Sequence, residues 1–440
     1  MQRSTAIIAA AALALSAAAA AAAEYDLAAY LAKVEAANPD LALARYDLEA
    51  AEQGVKQARS ALLPAVAAQG GYTRNLGDIE QPKAVAADPA TGAFIYQEFD
   101  TNYDNELTLG LGVQQRIFDA EALARFEQAR KGRTAQLSVY EVTRRNIRSS
   151  AKSLYAQTQL AQAVVAVSEA SERMAEENYR SAERKFRAGV TTELELLTAE
   201  VDWKSKIPAS AEARKNAELA LVSLKNLAGI PLAEGLSLTE DTSRLPEAPA
   251  DPELEAVLAA RPDYAASLLS KEIADISRRA AYGSFLPSVS GSFSYGYYLG
   301  EGSEILPKYD QTSAKLGLTM TLPLFAGGYR LSLMESARIN QEKAATSIAK
   351  KRDSIERELV SVRLRLDEAR RRVDSALLVE STARKAAELA KTSFANGLAT
   401  QLQVTQAATN LDQALLGLHN ARFQYKSAYY DWELATGRQD

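Results

Sequence analysis

Two stretches of this chain, Asp119 to Arg187 and Ala326 to Phe394, contain no proline and little glycine. Runs of that kind read as uninterrupted helices. At about 1.5 Å of rise per residue, about 69 residues reach roughly 100 Å, far more than a globular domain needs. The length suits a chain that crosses a compartment. Both runs carry the same apolar seam. Ile147, Ala151, Leu154, Thr158, Ala161, Val165 and Ser168 alternate at spacings of four and three, and Ile355, Leu359, Val362, Leu366, Ala369, Val373 and Ala376 repeat them 208 residues later. Alanine is abundant outside the seam, which allows further helices to approach a second face.

The duplication extends over the whole chain. Pro39-Asp40 matches Pro262-Asp263, Leu63-Pro64 matches Leu286-Pro287 and Tyr72 matches Tyr295, each 223 residues apart. Ala129-Arg130 matches Ala337-Arg338, Phe186 matches Phe394, Gly189 matches Gly397, Thr192 matches Thr400 and Gly229 matches Gly437, each 208 apart. The offset changes between Tyr72 and Ala129, so one half has the longer loop there. Residues 230–253 carry Pro231, Pro246, Pro249 and Pro252, which suits a linker. The expected organisation is a first repeat over 24–229, the linker, and a second repeat over 254–440.

Ahead of them, Gln2, Arg3 and Ser4 lead into an alanine-dominated apolar run that ends near Ala23. This reads as a secretory signal peptide over 1–23, with several cleavage points open to it and the one before Glu24 fitting best; a retained transmembrane anchor is the alternative. The chain has no cysteine, which removes disulfides, thiolate metal sites and a thiol for lipid attachment. A single histidine, His419, leaves little room for metal or triad chemistry. With 51 Lys and Arg against 56 Asp and Glu, the charge balance offers no footprint for nucleic acid. No acid, base or nucleophile recurs at a catalytic spacing, so an enzyme is not expected, and neither a cofactor nor a metal is expected.

In each half the period changes from 3.6 to 2 before the long helix. Ser288 to Tyr297 sets serines and a glycine on one face and mostly apolar or aromatic residues on the other, and Leu316, Leu318, Met320 and Leu322 alternate with polar or small residues. The first half repeats this in Val66 to Tyr72 and in Leu107, Leu109, Leu111 and Val113. Strands are expected at about 64–75, 103–116, 287–298 and 313–323. Each is about ten residues long, which suits a tilted strand crossing a bilayer. Tyr103, Tyr295, Tyr297 and Tyr298 fit an interfacial girdle. Bacterial barrels have about eight strands or more, so four strands would have to be completed by other copies. A soluble hairpin packed on a core is the alternative.

At the far end of each long helix stand Phe186-Arg187-Ala188-Gly189-Val190-Thr191-Thr192 and Phe394-Ala395-Asn396-Gly397-Leu398-Ala399-Thr400. Glycine ends one helix and threonine caps the next, so each half folds back as a helical hairpin with tips near 189 and 397.

The Phe-x-x-Gly-x-x-Thr tips, Leu63-Pro64 and Leu286-Pro287 before a strand, Pro323-Leu324-Phe325 leading into a helix, and the two-fold repeat together resemble the TolC-like outer-membrane efflux protein family over essentially the whole mature chain. The resemblance implies a mainly α fold with a β hairpin in each repeat. It implies a homotrimer whose twelve-stranded transmembrane β-barrel, four strands per chain, continues as a long α-helical periplasmic barrel. It also implies a channel of the Gram-negative outer membrane, the exit duct of a tripartite efflux or type I secretion system. A periplasmic adaptor (membrane fusion) protein would couple it to an inner-membrane pump of the resistance-nodulation-division or ABC type. The adaptor-facing tips would be Gly189, Val190, Thr192, Gly397, Leu398 and Thr400. Some members place inward aspartates just past the second tip. Here that stretch reads Gln401 to Gln406 without an acid, leaving Gln403 and Gln406 as the candidate periplasmic gate. The alternative reading is a surface-attached coiled-coil structural or adhesin protein without channel activity.

Overall fold

The computed structural model describes residues 23–77, 79–100, 102–240, 243–247, 249–301, 308–396 and 398–438. Almost all of the expected leader, residues 1–22, lies outside them, and so does Gly397. The element order is β1 (Ala23–Tyr25), α1 (Leu27–Ala37), α2 (Pro39–Ser60), β2 (Ala65–Arg74), β3 (Glu80–Ala87), β4 (Phe94–Asp100), β5 (Asn105–Phe118), α3 (Ala120–Arg187) and α4 (Glu193–Leu227). It continues with β6 (Leu236–Leu238), α5 (Leu254–Ala260), α6 (Pro262–Gly283), β7 (Ser288–Glu301), β8 (Tyr309–Thr321), α7 (Tyr329–Ala395) and α8 (Gln401–Thr436). The long helices α3 and α7 have 68 and 67 residues and no proline.

Two compact units emerge. One comprises the chain up to Asp47, Leu137–Ala266, and Ile348 onward; the other comprises Leu48–Gln136 and Ser267–Ser347. In the first unit the same joint is built twice. Helices α4 and α8 end at Gly229 and Gly437, whose φ angles of 62° and 73° are left-handed. A Cβ at Gly229 would lie 3.1 Å from the Ala37 carbonyl oxygen, and one at Gly437 would lie 3.1 Å from that of Ala260. Only glycine satisfies both demands. The residue before each Pro-Asp start then ties down the helix end. Asn38 Nδ2 donates to the Leu227 carbonyl at 2.9 Å, and Arg261 Nη1 donates to the Ala435 carbonyl at 2.9 Å.

The cores of this unit sit around those joints. Tyr30, Val34, Ala151, Tyr155 and Leu224 pack together in one, and Val362, Leu366, Val373, Tyr425 and Trp432 in another. The second seam is buried along one narrow stripe, with Leu364 and Leu378 exposed beside it. The first is flanked by further buried residues, Lys152, Ala156 and Gln159. They meet α8: Lys152 Nζ lies 2.6 Å from Glu433 Oε2, and Lys426 Nζ donates to Gln159 Oε1 at 3.3 Å. Ion pairing and amide contacts offset the desolvation of both lysines.

The second unit holds an antiparallel sheet in the order β2-β5-β7-β8. Paired residues of antiparallel strands point to the same side. Val66, Ala68 and Tyr72 pair with Val113, Leu111 and Leu107; these pair with Phe293, Tyr295 and Leu299; and Phe293 pairs with Leu316. One face is therefore apolar across the sheet. The other carries Gly110 and Gly112 beside Gly296 and Ser294, with Ser313 and Lys315 beyond. Among the described residues no core covers the sheet: β2 is exposed on both faces, and Leu316, Leu318 and Met320 are exposed. The longer loop of the first half forms a hairpin of its own, β3 with β4. Of the four tyrosines proposed as a girdle, Tyr295 and Tyr297 lie in the apolar register, whereas Tyr298 lies in the polar one and clusters with Tyr103 and Tyr309 at ring separations of 6.2 and 6.3 Å.

At the second joint, burial favours the neutral form of Asp263, but Arg261 bonds both its oxygens at 3.0 and 2.8 Å and Lys351 lies 2.7 Å away. The cations win and hold the carboxyl well below the usual carboxylate range. Because the folded value lies below the unfolded one of about 3.9, this stabilisation is complete above that pH and is lost as the pH falls further. Asp263→Asn should therefore cost roughly 2–3 kcal/mol at neutral pH, with the difference from wild type shrinking below about pH 4. Guanidinium unfolding of both proteins across that range checks it, and a pH-independent difference would contradict it.

Candidate functional site: the paired helical tips

Each tip is closed by the same backbone chemistry. At the first, the Val190 N–H donates to the Lys185 carbonyl at 2.9 Å, and Gly189 is left-handed at φ 70°. At the second, the Leu398 N–H donates to the Ser393 carbonyl at 2.8 Å. These six-residue bonds satisfy carbonyls that a helix end would otherwise leave open. Thr192 then caps α4 by accepting from the Glu195 N–H, and Thr400 caps α8 by accepting from the Gln403 N–H, both at 3.3 Å.

The caps differ in their second half. Gln403 Oε1 accepts from the Thr400 N–H at 2.8 Å, completing a capping box. The corresponding Glu195 carboxylate instead accepts from the Thr191 hydroxyl. Of the two candidate gate glutamines, Gln403 is thus already engaged by its own helix. Gln406 donates to Asn410 Oδ1 at 2.9 Å on an exposed face.

The tips present apolar side chains to solvent: Val190, Leu194, Leu398 and Leu402 are all about 70 % exposed or more. Two such residues at each turn leave apolar side chains in water at both tips, which a partner could cover. Between the tips lies a cleft of about 170 Å³ lined by Lys185, Val190, Thr191, Glu195, Phe394 and Gln401. Lys185 Nζ sits 3.9 Å from the centre of the Phe394 ring, a cation–π contact that joins one hairpin to the other. Gln401 Nε2 is buried there without a partner among the described residues.

Further along the hairpins, Asp412 of α8 accepts from the Ser171 hydroxyl of α3 and lies 3.5 Å from Lys206 Nζ of α4. The acid absent just past the second tip therefore occurs farther along α8, where it faces the other hairpin. A single aspartate within a helical run gives no sequence signal of such a role. His419 is half-buried; burial, then Arg422, lower its pKa, so the ring is neutral at pH 7. It lines a small cavity with Gln159 and Lys426. Among the described residues no group of carboxylates and imidazole could hold a metal ion, and no helix is long and apolar enough to cross a membrane.

Comparison with known proteins agrees with this architecture. The chain is 26 % identical over 406 residues to the alkaline protease secretion protein AprF of Pseudomonas aeruginosa, covering 89 % of this chain and 80 % of that one. It is 21 % identical over 399 residues to the outer membrane protein TolC of Escherichia coli, covering 88 % and 77 %. Among solved structures it is similar to the Campylobacter jejuni CmeC outer membrane channel, with a TM-score of 0.77 at 22 % identity over 94 % of this chain and 85 % of that one. It is also similar to the open state of the Neisseria gonorrhoeae MtrE outer membrane channel, with a TM-score of 0.76 at 18 % identity over 94 % and 91 %. The profile of the outer membrane efflux protein family matches residues 30–230 and 254–438, most of the chain. With its duplicated helical hairpins and coreless four-stranded sheet, the chain belongs to the outer membrane efflux protein family.

Proposed function

We propose that this chain is the passive exit duct of a tripartite efflux or type I secretion system in the outer membrane. Its repeats are read as 24–229 and 254–440, joined by 230–253. The observation that carries the reading is the sheet. Its register gathers apolar side chains on one face and small or polar ones on the other, no core covers either, and β2 and β8 have free edges. In lipid an unpaired strand edge costs several kcal/mol per backbone group, so the edges must be closed by other copies. Three copies supply twelve strands, the small residues lining the lumen and the apolar face meeting lipid.

The exposed residues Val190, Leu194, Leu398 and Leu402 are the surface we assign to the periplasmic adaptor, presented by Gly189 to Thr192 at the first tip and Leu398 to Thr400 at the second; Gly397 joins this assignment by the 208-residue repeat alone. Energy comes from the inner-membrane pump; the chain supplies no chemistry of its own. The gate opens when the tips of α7 and α8 move outward, and adaptor contacts that differ between the open and closed tips bias that equilibrium. Gln403 acts at this gate as the cap that keeps the start of α8 wound. Gln406, one turn on, donates to exposed Asn410 and can exchange that bond to meet its symmetry copies.

Conductance of the purified full-length protein in a planar lipid bilayer tests the duct itself; a protein that inserts as an oligomer without conducting would support the structural alternative. A left-handed residue with a side chain costs about 1–2 kcal/mol, so Gly189→Val should distort the first tip, impairing export of a reporter cargo while outer-membrane trimers persist. Unchanged export would count against the tip assignment. Gln403→Ala should remove one capping bond worth about 0.5–1 kcal/mol, fray the start of α8 and raise channel open probability. Gln406→Ala should change it less, and the reverse order would contradict the capping role.

A further inference from the structure

Arg330, in the first turn of α7, is only 8 % exposed, and its Nη2 is sealed from solvent with no hydrogen-bond partner among the described residues. Among the described residues its guanidinium makes a cation–π contact, with the guanidinium carbon 5.2 Å from the centre of the Phe285 ring. A buried guanidinium is stabilised only when anions and acceptors replace the water it has lost.

The duplicated half shows what is missing. At the corresponding helix start, Asp119 accepts from the Glu121 and Ala122 N–H groups at 3.0 and 3.1 Å and pairs with Arg116 at 3.0 Å. At the 208-residue offset, Gly327 stands in place of Asp119 and Arg330 in place of the buried Ala122. The second half has thus lost its carboxylate and gained a buried cation. Gly327 and Gly328 both have left-handed φ angles, and a Cβ at either would meet nothing within 4 Å, so space is open beside the first turn of α7. That turn also offers the partial positive charge of a helix start.

We propose that Arg330 and the start of α7 form a binding site for the phosphate of a membrane phospholipid, occupied where β8 leaves the bilayer. The surroundings favour a lipid. In a single copy Leu322, Leu324, Phe325, Tyr329 and Leu331, which follow the end of β8, are all exposed, and Leu324 and Phe325 are more than 85 % so. Such a belt suits acyl chains beside a headgroup, and arginine pairs well with phosphate. A carboxylate from a second copy fits less well, because the acids around the helix starts are already paired: Asp119 with Arg116, Glu121 with Arg125, Glu127 with Arg279, and Glu335 and Glu342 with Arg338. The proposal rests on the outer-membrane duct reading for the location of the lipid.

The test is native mass spectrometry of the full-length protein in a phosphate-free detergent, titrated with short-chain phosphatidylglycerol, with diacylglycerol and with inorganic phosphate. Wild type should form a saturable phosphatidylglycerol adduct and none with diacylglycerol. Arg330→Gln should weaken that adduct at least about tenfold, the loss of a charge-assisted bond, while Arg125→Gln should not change it. Arg330→Lys, which keeps the charge, should fall between them, and it decides the matter if the glutamine variant does not assemble. Equal lipid affinity in all variants would overturn the proposal. So would inorganic phosphate displacing the lipid at equal concentration, or a cross-link from position 330 to a carboxylate of a second copy. Bilayer conductance measured on the same preparations separates the two readings: a conducting wild type without the adduct rejects only the lipid site, and a non-conducting wild type rejects the duct.

Discussion

Both halves of this chain depend on one close contact, a left-handed glycine at the end of a helix pressed against the last turn of a short one. Gly229 meets Ala37 and Gly437 meets Ala260, in each case with a carbonyl 3.1 Å from where a Cβ would be. The contact fixes the returning helix of each hairpin beside the start of the next Pro-Asp helix. Asn38 and Arg261 then satisfy the carbonyls that the helix ends leave open. The matched dipeptides and glycines in the sequence are the record of that geometry. The two halves reach it with different chemistry. Asn38 is neutral, whereas Arg261 brings in Asp263, Glu358 and Lys351 as a charged cluster.

The sheet obeys a different constraint. Its strands are paired along their length, yet among the described residues no core covers it, and many of its apolar residues, Leu109, Leu111, Leu316 and Leu318 among them, are exposed. In water such a sheet would be an aggregation hazard at both edges. In the outer membrane the same features become requirements, because lipid covers the apolar face and paired edges satisfy the backbone. In the proposed barrel, the glycines and serines of the opposite face would leave room where strands curve around a lumen.

The tips were legible as turns because glycine and threonine stand where a helix must stop and restart. Their surroundings were less so. Gln403 matches a gate position by resemblance, but it is one half of a capping box, and a capping box needs only Thr-x-x-Gln in sequence. That signal was present. The bond of Asp412 to the first hairpin and the contact of Lys185 with Phe394 left no such trace, because each joins residues more than two hundred positions apart. Gly397, the centre of the second tip by repeat, lies outside the described residues.

By itself the sequence determined what is periodic and local: two long helices, a seam on each, strands that alternate, turns at glycine and threonine, and a duplication that makes one half a control for the other. These follow from backbone geometry, which repeats every 3.6 or 2 residues and therefore writes itself into residue order. Only the tertiary structure decided which residues meet at a distance. It placed apolar residues from four strands in one register, buried Lys152 against Glu433, and buried Arg330 with no hydrogen-bond partner for its Nη2 among the described residues. Those outcomes depend on which surfaces exclude water together, and residue order alone does not specify that.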